Sequence, residues 1–109
     1  MNKTTRIAEL NDLARTAMGV TCRVLQTSGI QALDPRVQST IRERIEVFND
    51  FTPDNDPHGE RDFGALEVNG ERVYWKIDYY DRAMEYGSED PSDPKQTTRV
   101  LTIMLAEEY

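Results

Sequence analysis

Apolar residues fall along this chain in short blocks, and their spacing changes from block to block. In the first block Ile7, Leu10, Leu13, Ala14, Ala17 and Met18 share one face of a 3.6-residue period, which predicts a helix. Thr4 or Thr5 supplies a capping oxygen for its start, and Gly19 a stop. From Val20 to Thr27 the period drops to two. Val20, Cys22 and Val24 alternate with Thr21 and Arg23, which predicts a half-buried strand ended by Ser28-Gly29. Asp34-Pro35 then opens a second helix. The aspartate caps it, and proline at the first helical position gives up an N–H that has no partner there. Val37, Ile41, Ile45 and Phe48 form its narrow apolar stripe.

From Asn49 to Glu60 no period survives, so this segment is read as a loop. Asp62 to Tyr80 is the clearest unit. Asn69-Gly70 is a two-residue hairpin turn, and such a turn fixes register. Val68 then faces Glu71, Leu66 faces Val73 and Gly64 faces Trp75. One side carries Leu66, Val73, Trp75 and Ile77; Gly64 leaves room for the indole. The other side carries Glu67 against Arg72, a favourable charge pair, with Phe63, Ala65, Tyr74 and Lys76. Asp81 to Asp93 is a second irregular stretch. Asp93-Pro94 repeats the helix-start signal, and Thr97, Val100, Leu101, Met104 and Leu105 keep helical spacing. The β-branched run from Thr97 to Ile103 also suits a strand, but the cap and the spacing favour a helix. The expected order is α-β-α-β-β-α in one domain, residues 1–109. The fold class is α+β, a small antiparallel sheet (one strand plus the Asn-Gly hairpin) packed with three helices.

Composition narrows the function classes. The chain has 109 residues, 20 Asp plus Glu against 13 Lys plus Arg, and a net charge of -7. One cysteine excludes an internal disulfide and an all-cysteine metal site. No apolar stretch has the length of a signal-peptide core or a membrane span, so a soluble, cytoplasmic protein that avoids membranes is expected. The charge is uneven: +2 over residues 1–49, -9 over 50–94, and zero over 95–109. That balance opposes direct binding to a nucleic-acid backbone.

Candidate chemistry therefore concentrates in the acidic segment. Asp54, Asp56, His58, Gly59, Glu60 and Asp62 match positions 1, 3, 5, 6, 7 and 9 of a calcium loop of the EF-hand type. Position 12, which needs a bidentate Glu, is Ala65, and Pro57 stiffens the run, so an EF-hand is not expected. A looser divalent-metal site from Asp54, Asp56, His58 and Asp62 is the alternative, serving a metal-binding module or a metal-dependent enzyme. Against it stands a loop of Asx-turns and caps. His58 beside Asp56 or Glu60 has the makings of a general base, but no Ser or Cys nucleophile motif accompanies it, and Cys22 belongs to a buried strand. The reading leans away from an enzyme and from any cofactor. Alternation along Trp75 to Asp81 sends Lys76, Asp78 and Tyr80 to the face of Tyr74, which is either an ordinary sheet surface or an interface patch. Gly87 to Pro94 adds Glu89, Asp90 and Asp93 in a turn-rich tract.

The blocks DFTPDNDPHGERDFG, VYWKIDYYD, GSEDPSDP and TTRVLTIMLAEEY are long and specific. Through them nearly the whole chain, most strongly Phe48 to Tyr109, resembles the uncharacterised bacterial domain-of-unknown-function family numbered 3768. The resemblance brings no activity, cofactor or catalytic residue to carry over. It implies small proteins of bacterial chromosomes, plasmids and mobile elements, with accessory roles such as conjugation, plasmid upkeep or counter-defence. The expected function is a non-enzymatic acidic binding protein that meets a basic protein partner, for example as an inhibitor of a nucleic-acid-binding host complex. Asp54, Asp56, Glu60, Asp78, Glu89, Asp90 and Asp93 would supply the field, with Tyr74 and Tyr80 as anchors. A homodimer that completes an apolar face is a further expectation.

Overall fold

The computed structural model describes residues 2–109. Its elements are α1 (Lys3–Thr16), β1 (Arg23–Gln26), α2 (Ser28–Gln31), α3 (Pro35–Glu46), β2 (Phe63–Val68), β3 (Glu71–Tyr80) and β4 (Thr98–Leu105), with a closing 3-10 turn over Ala106–Glu108. Asn69 and Gly70 both have positive φ, at 53° and 82°, as a type I′ turn requires. The β2–β3 register is the expected one, from Val68 opposite Glu71 to Gly64 opposite Trp75. At Asp34-Pro35 the aspartate accepts a hydrogen bond from the Arg36 N–H at 2.8 Å, and α3 starts there.

The α+β class holds, but the sheet is larger and of another kind. It has four strands in the order β1-β4-β3-β2. β4 pairs antiparallel with β3 and parallel with β1, so the sheet is mixed. The expectation of a helix after Asp93-Pro94 is corrected. Asp93 instead caps a turn, accepting from the Lys95 N–H and the Gln96 side-chain amide, both at 2.9 Å. Thr98–Leu105 is a central strand buried on both faces. A strand of that kind reads as a continuous apolar run, which also contains every helical spacing, so the periodicity could not separate the two. Two smaller boundaries also move. Asn2 rather than Thr4 or Thr5 caps α1, accepting from the Thr5 N–H at 2.8 Å. β1 begins only at Arg23, and Val20 is 79% exposed.

Register decides the two faces of the sheet. Val73, Trp75 and Ile77 stand beside Leu105, Ile103 and Leu101. Onto that face pack Ala14 of α1, Ile30 of α2, and Ile41 and Ile45 of α3, making one apolar core. Trp75 is fully buried, with Phe48 and Phe51 edge-on at 5.5 and 6.1 Å between ring centroids. Arg15 lies over the same indole at 5.3 Å. It donates to the carbonyls of Ile45 and Phe48 at 2.9 Å each and to Asp12 at 2.8 Å. These carbonyls lie at the end of α3 and just beyond it, so Arg15 ties α1 to the C-terminal end of α3. The opposite face carries Phe63, Tyr74 and Tyr109 as an aromatic cluster. The final turn is held by Glu108, which accepts from the Thr27 hydroxyl at 2.6 Å, the Leu105 N–H at 2.8 Å and the Gly29 N–H at 3.0 Å.

Candidate functional site

Two irregular segments join these elements, and they carry nearly all the excess acid. Residues 50–62 hold five acids and one arginine, and residues 81–97 hold five acids, one arginine and one lysine. Together they carry -7, as much as the whole chain. The fold brings the two segments to one end of the molecule, around a buried polar junction. Asn11 is fully buried on α1. Its amide donates to the Glu60 carbonyl at 2.9 Å and to the Tyr79 hydroxyl at 2.8 Å, and its oxygen accepts from Arg99 Nε at 2.8 Å. Tyr79 in turn donates to the Glu60 carboxylate at 2.8 Å. Arg99 reaches the Pro91 carbonyl through Nη2. The first loop thus enters through Glu60 and the second through Pro91. Both also flank the first turn of α1: Gly59 abuts Thr4, and Asp90 lies 3.6 Å from the Lys3 ammonium.

Each loop is braced from within. In the first, Asn55 accepts from the Thr52 N–H at 2.8 Å and donates to the Asp50 carbonyl at 2.8 Å. Asp56 accepts from the Arg61 N–H at 3.1 Å, which steadies Arg61 at a positive φ of 56°. Arg61 itself pairs with Asp12. In the second, Asp90 accepts from the Ser92 N–H and hydroxyl. Thr97 donates to the Asp90 carbonyl at 2.9 Å. These bonds set the ionisation of the acids. The Ser92 hydroxyl holds the Asp90 carboxyl below its usual range, and the Gln96 amide does the same for Asp93. Burial pushes Asp62 up, with the Glu60 and Asp56 charges adding to the rise. Burial also raises the Tyr79 phenol, which therefore stays a donor.

The expected partner-binding set is divided by the fold. Asp54, Asp56, Glu60, Glu89, Asp90 and Asp93 lie in the two loops at the acidic end. Of these, Asp54 and Glu89 are exposed and make no side-chain hydrogen bond or ion pair within the chain, so their carboxylates face solvent. Tyr80 closes β3 beside the second loop, where it bridges Gly87. Asp78 pairs with Lys76 at 2.8 Å on the open sheet face. Tyr74 sits six residues back from Tyr80, roughly 20 Å along an extended strand, and packs against Phe63 and Tyr109 instead. Among the described residues no group of three or more His, Cys, Asp or Glu is gathered tightly enough to hold a metal ion. That includes Asp54, Asp56, His58 and Asp62. His58 is exposed and makes no hydrogen bond to Asp56 or Glu60. Sequence reasoning missed Asn11 and Arg99. Asn11 left one signal, a polar side chain four residues after Ile7 on the apolar side of α1; Arg99 left none while its segment was read as a helix.

A family model described as "Protein of unknown function (DUF3768)" matches residues 26–108. The chain belongs to that family. The match takes in both acidic loops, the hairpin and β4 of this DUF3768 chain, and begins at the last residue of β1. Searches of curated proteins and of solved structures each gave no match. No helix among the described residues is long and apolar enough to cross a membrane.

Proposed function

We propose that the chain is a non-enzymatic binding protein that docks a basic protein partner through its acidic end. It would act in the cytoplasm as an accessory or counter-defence factor, for example by occupying the nucleic-acid-binding surface of a host complex. One observation carries this reading: two loops distant in sequence meet at the Asn11, Tyr79 and Arg99 junction and together hold a charge of -7. Internal hydrogen bonds brace the loops, so the charges are pre-positioned and little ordering is lost on docking. A concentrated field of one sign raises the encounter rate with a surface of the other sign and rejects like-charged competitors. Asp90 and Asp93 build the loop, whereas Asp54 and Glu89 are free to meet a partner.

The test uses the double variant Asp54→Lys, Glu89→Lys, which breaks no internal bond. Affinity capture from native cytosol, read by mass spectrometry, is run with the parent chain and the variant side by side. A basic protein held by the parent and lost by a variant with an unchanged melting temperature supports the reading. Equal capture by both chains refutes it.

A further inference from the structure

A cleft beside the acidic end has the opposite chemistry. It runs between α1, the segment leading into β1, and the start of β4, and encloses about 560 Å3. That volume is in the range of small-molecule sites, roughly 300–1,000 Å3. Arg6, Arg23, Arg82 and Arg99 line it, and no Asp or Glu does. Four cations converging on one cleft run against the sign of a chain whose net charge is -7.

The state of the four guanidinium groups is informative. Arg23 makes no ion pair or side-chain hydrogen bond among the described residues. Arg82 has one long bond, 3.5 Å, to the Pro94 carbonyl. Arg6 lies 3.7 Å from Glu9, with both side chains about half exposed, a pairing of little worth. Arg99 is 4% exposed, and its hydrogen-bond partners, Asn11 and the Pro91 carbonyl, are uncharged. Its direct contacts are thus neutral dipoles and a tyrosine ring, with the Glu60 carboxylate acting only from the far side of the Tyr79 hydroxyl, so an anion on the cleft side would add a contact that the chain itself does not supply. Burial accordingly lowers the Arg99 pKa. The rest of the wall includes Thr21, Thr97 and Thr98 and an apolar stretch of Leu10, Val20 and Leu13, of which the last two are 79% and 48% exposed, respectively.

From this pairing we infer that the cleft is a binding site for a small organic phosphate, its anionic group held by Arg23, Arg82 and Arg99 and its apolar body lying on Leu10, Leu13 and Val20. Guanidinium forks match phosphate oxygens two at a time, and a dianion answers more of the four charges than a monocarboxylate does. The second acidic loop lends Arg82, Pro94 and Thr97 to the wall, but none of its carboxylates lines the cleft. The site shares Arg99 with the junction of the loops, but the docking reading invokes neither Arg23 nor Arg82, so variants of those two arginines test the cleft alone.

The test is a two-dimensional amide NMR titration of the full chain with phenyl phosphate, inorganic phosphate and phenol. Phenyl phosphate should give saturable shifts at Thr21 to Arg23 and Thr97 to Arg99, at lower concentration than inorganic phosphate, and phenol should give none. Arg23→Gln and Arg82→Gln should each weaken phenyl phosphate about tenfold, the loss expected for one charged hydrogen bond. Arg44→Gln, on α3 and outside the cleft, should leave it unchanged. Absence of saturable shifts at 10-millimolar order overturns the inference. So does inorganic phosphate binding as tightly as phenyl phosphate, or equal binding by the Arg23 and Arg82 variants.

Discussion

Gly64→Ala tests how tightly the Trp75 cage is closed. A Cβ at position 64 would lie 2.7 Å from Trp75 Cε2 and 2.8 Å from Phe48 Cζ, closer than real Cβ contacts come. The indole has no easy way out. Trp75 is fully buried under Phe48, Phe51 and Arg15, and its indole N–H has no hydrogen-bond partner, so packing alone fixes the ring. Overpacking of this kind costs about 1–3 kcal/mol. Alanine returns about 0.5–1 kcal/mol through its lower backbone entropy in a strand. The net destabilisation is about 1–2 kcal/mol, or a fall in Tm of roughly 5–15 °C. Thermal melts followed by fluorescence of Trp75, the only tryptophan, read the cage directly. Gly87→Ala is the control, since its nearest neighbour would be the Tyr79 carbonyl at 3.8 Å, an ordinary contact. Adding Phe48→Leu to Gly64→Ala should cost less than the two changes apart, because it removes one of the clashing atoms. A Gly64→Ala chain that melts at or above the parent temperature would refute the packing argument.

Arg15→Lys should lower stability by about 1–3 kcal/mol in urea melts, because one ammonium cannot serve the Ile45 and Phe48 carbonyls and Asp12 together; a midpoint equal to the parent's would show that this clasp is dispensable. Asp62→Asn should raise Tm at pH 7. The folded carboxyl titrates above its unfolded value, so its favourable protonation is complete below the unfolded pKa of about 3.9 and is lost as pH climbs through the folded one. The gain should therefore shrink towards zero as melts are repeated down to about pH 3.5, and a gain independent of pH would contradict the assigned cause.

Local chemistry was readable from the chain alone. The Asn69-Gly70 turn dictated the whole β2–β3 register, and Asp34-Pro35 marked the start of α3. What could not be read was set by distant partners. β4 owes its strand form to lying between β1 and β3, and that neighbourhood outweighed a helix cap. Asn11 reaches Arg99 across 88 residues, so the junction joining the two acidic loops has no local signature. Segment arithmetic located the negative charge but said nothing of where the loops would lie. It also hid the cleft, whose arginines at positions 6, 23, 82 and 99 come from four separate stretches and vanish into a negative total.

The central place of β4 has a consequence for the order of events during synthesis. Of the four strands it is made last, yet it alone contacts both β1 and β3. Until it emerges, the β2–β3 hairpin has one unpaired edge along β3, and β1 has no sheet to join. An isolated hairpin is marginal in water, and exposed strand edges invite pairing with other chains. The nascent chain thus carries this open edge from the completion of β3 at Tyr80 until Thr98–Leu105 is made, and completion of the sheet is a late event. Chaperone dependence and inclusion-body formation should respond to substitutions in β4 more steeply than to equal losses of stability placed in α3.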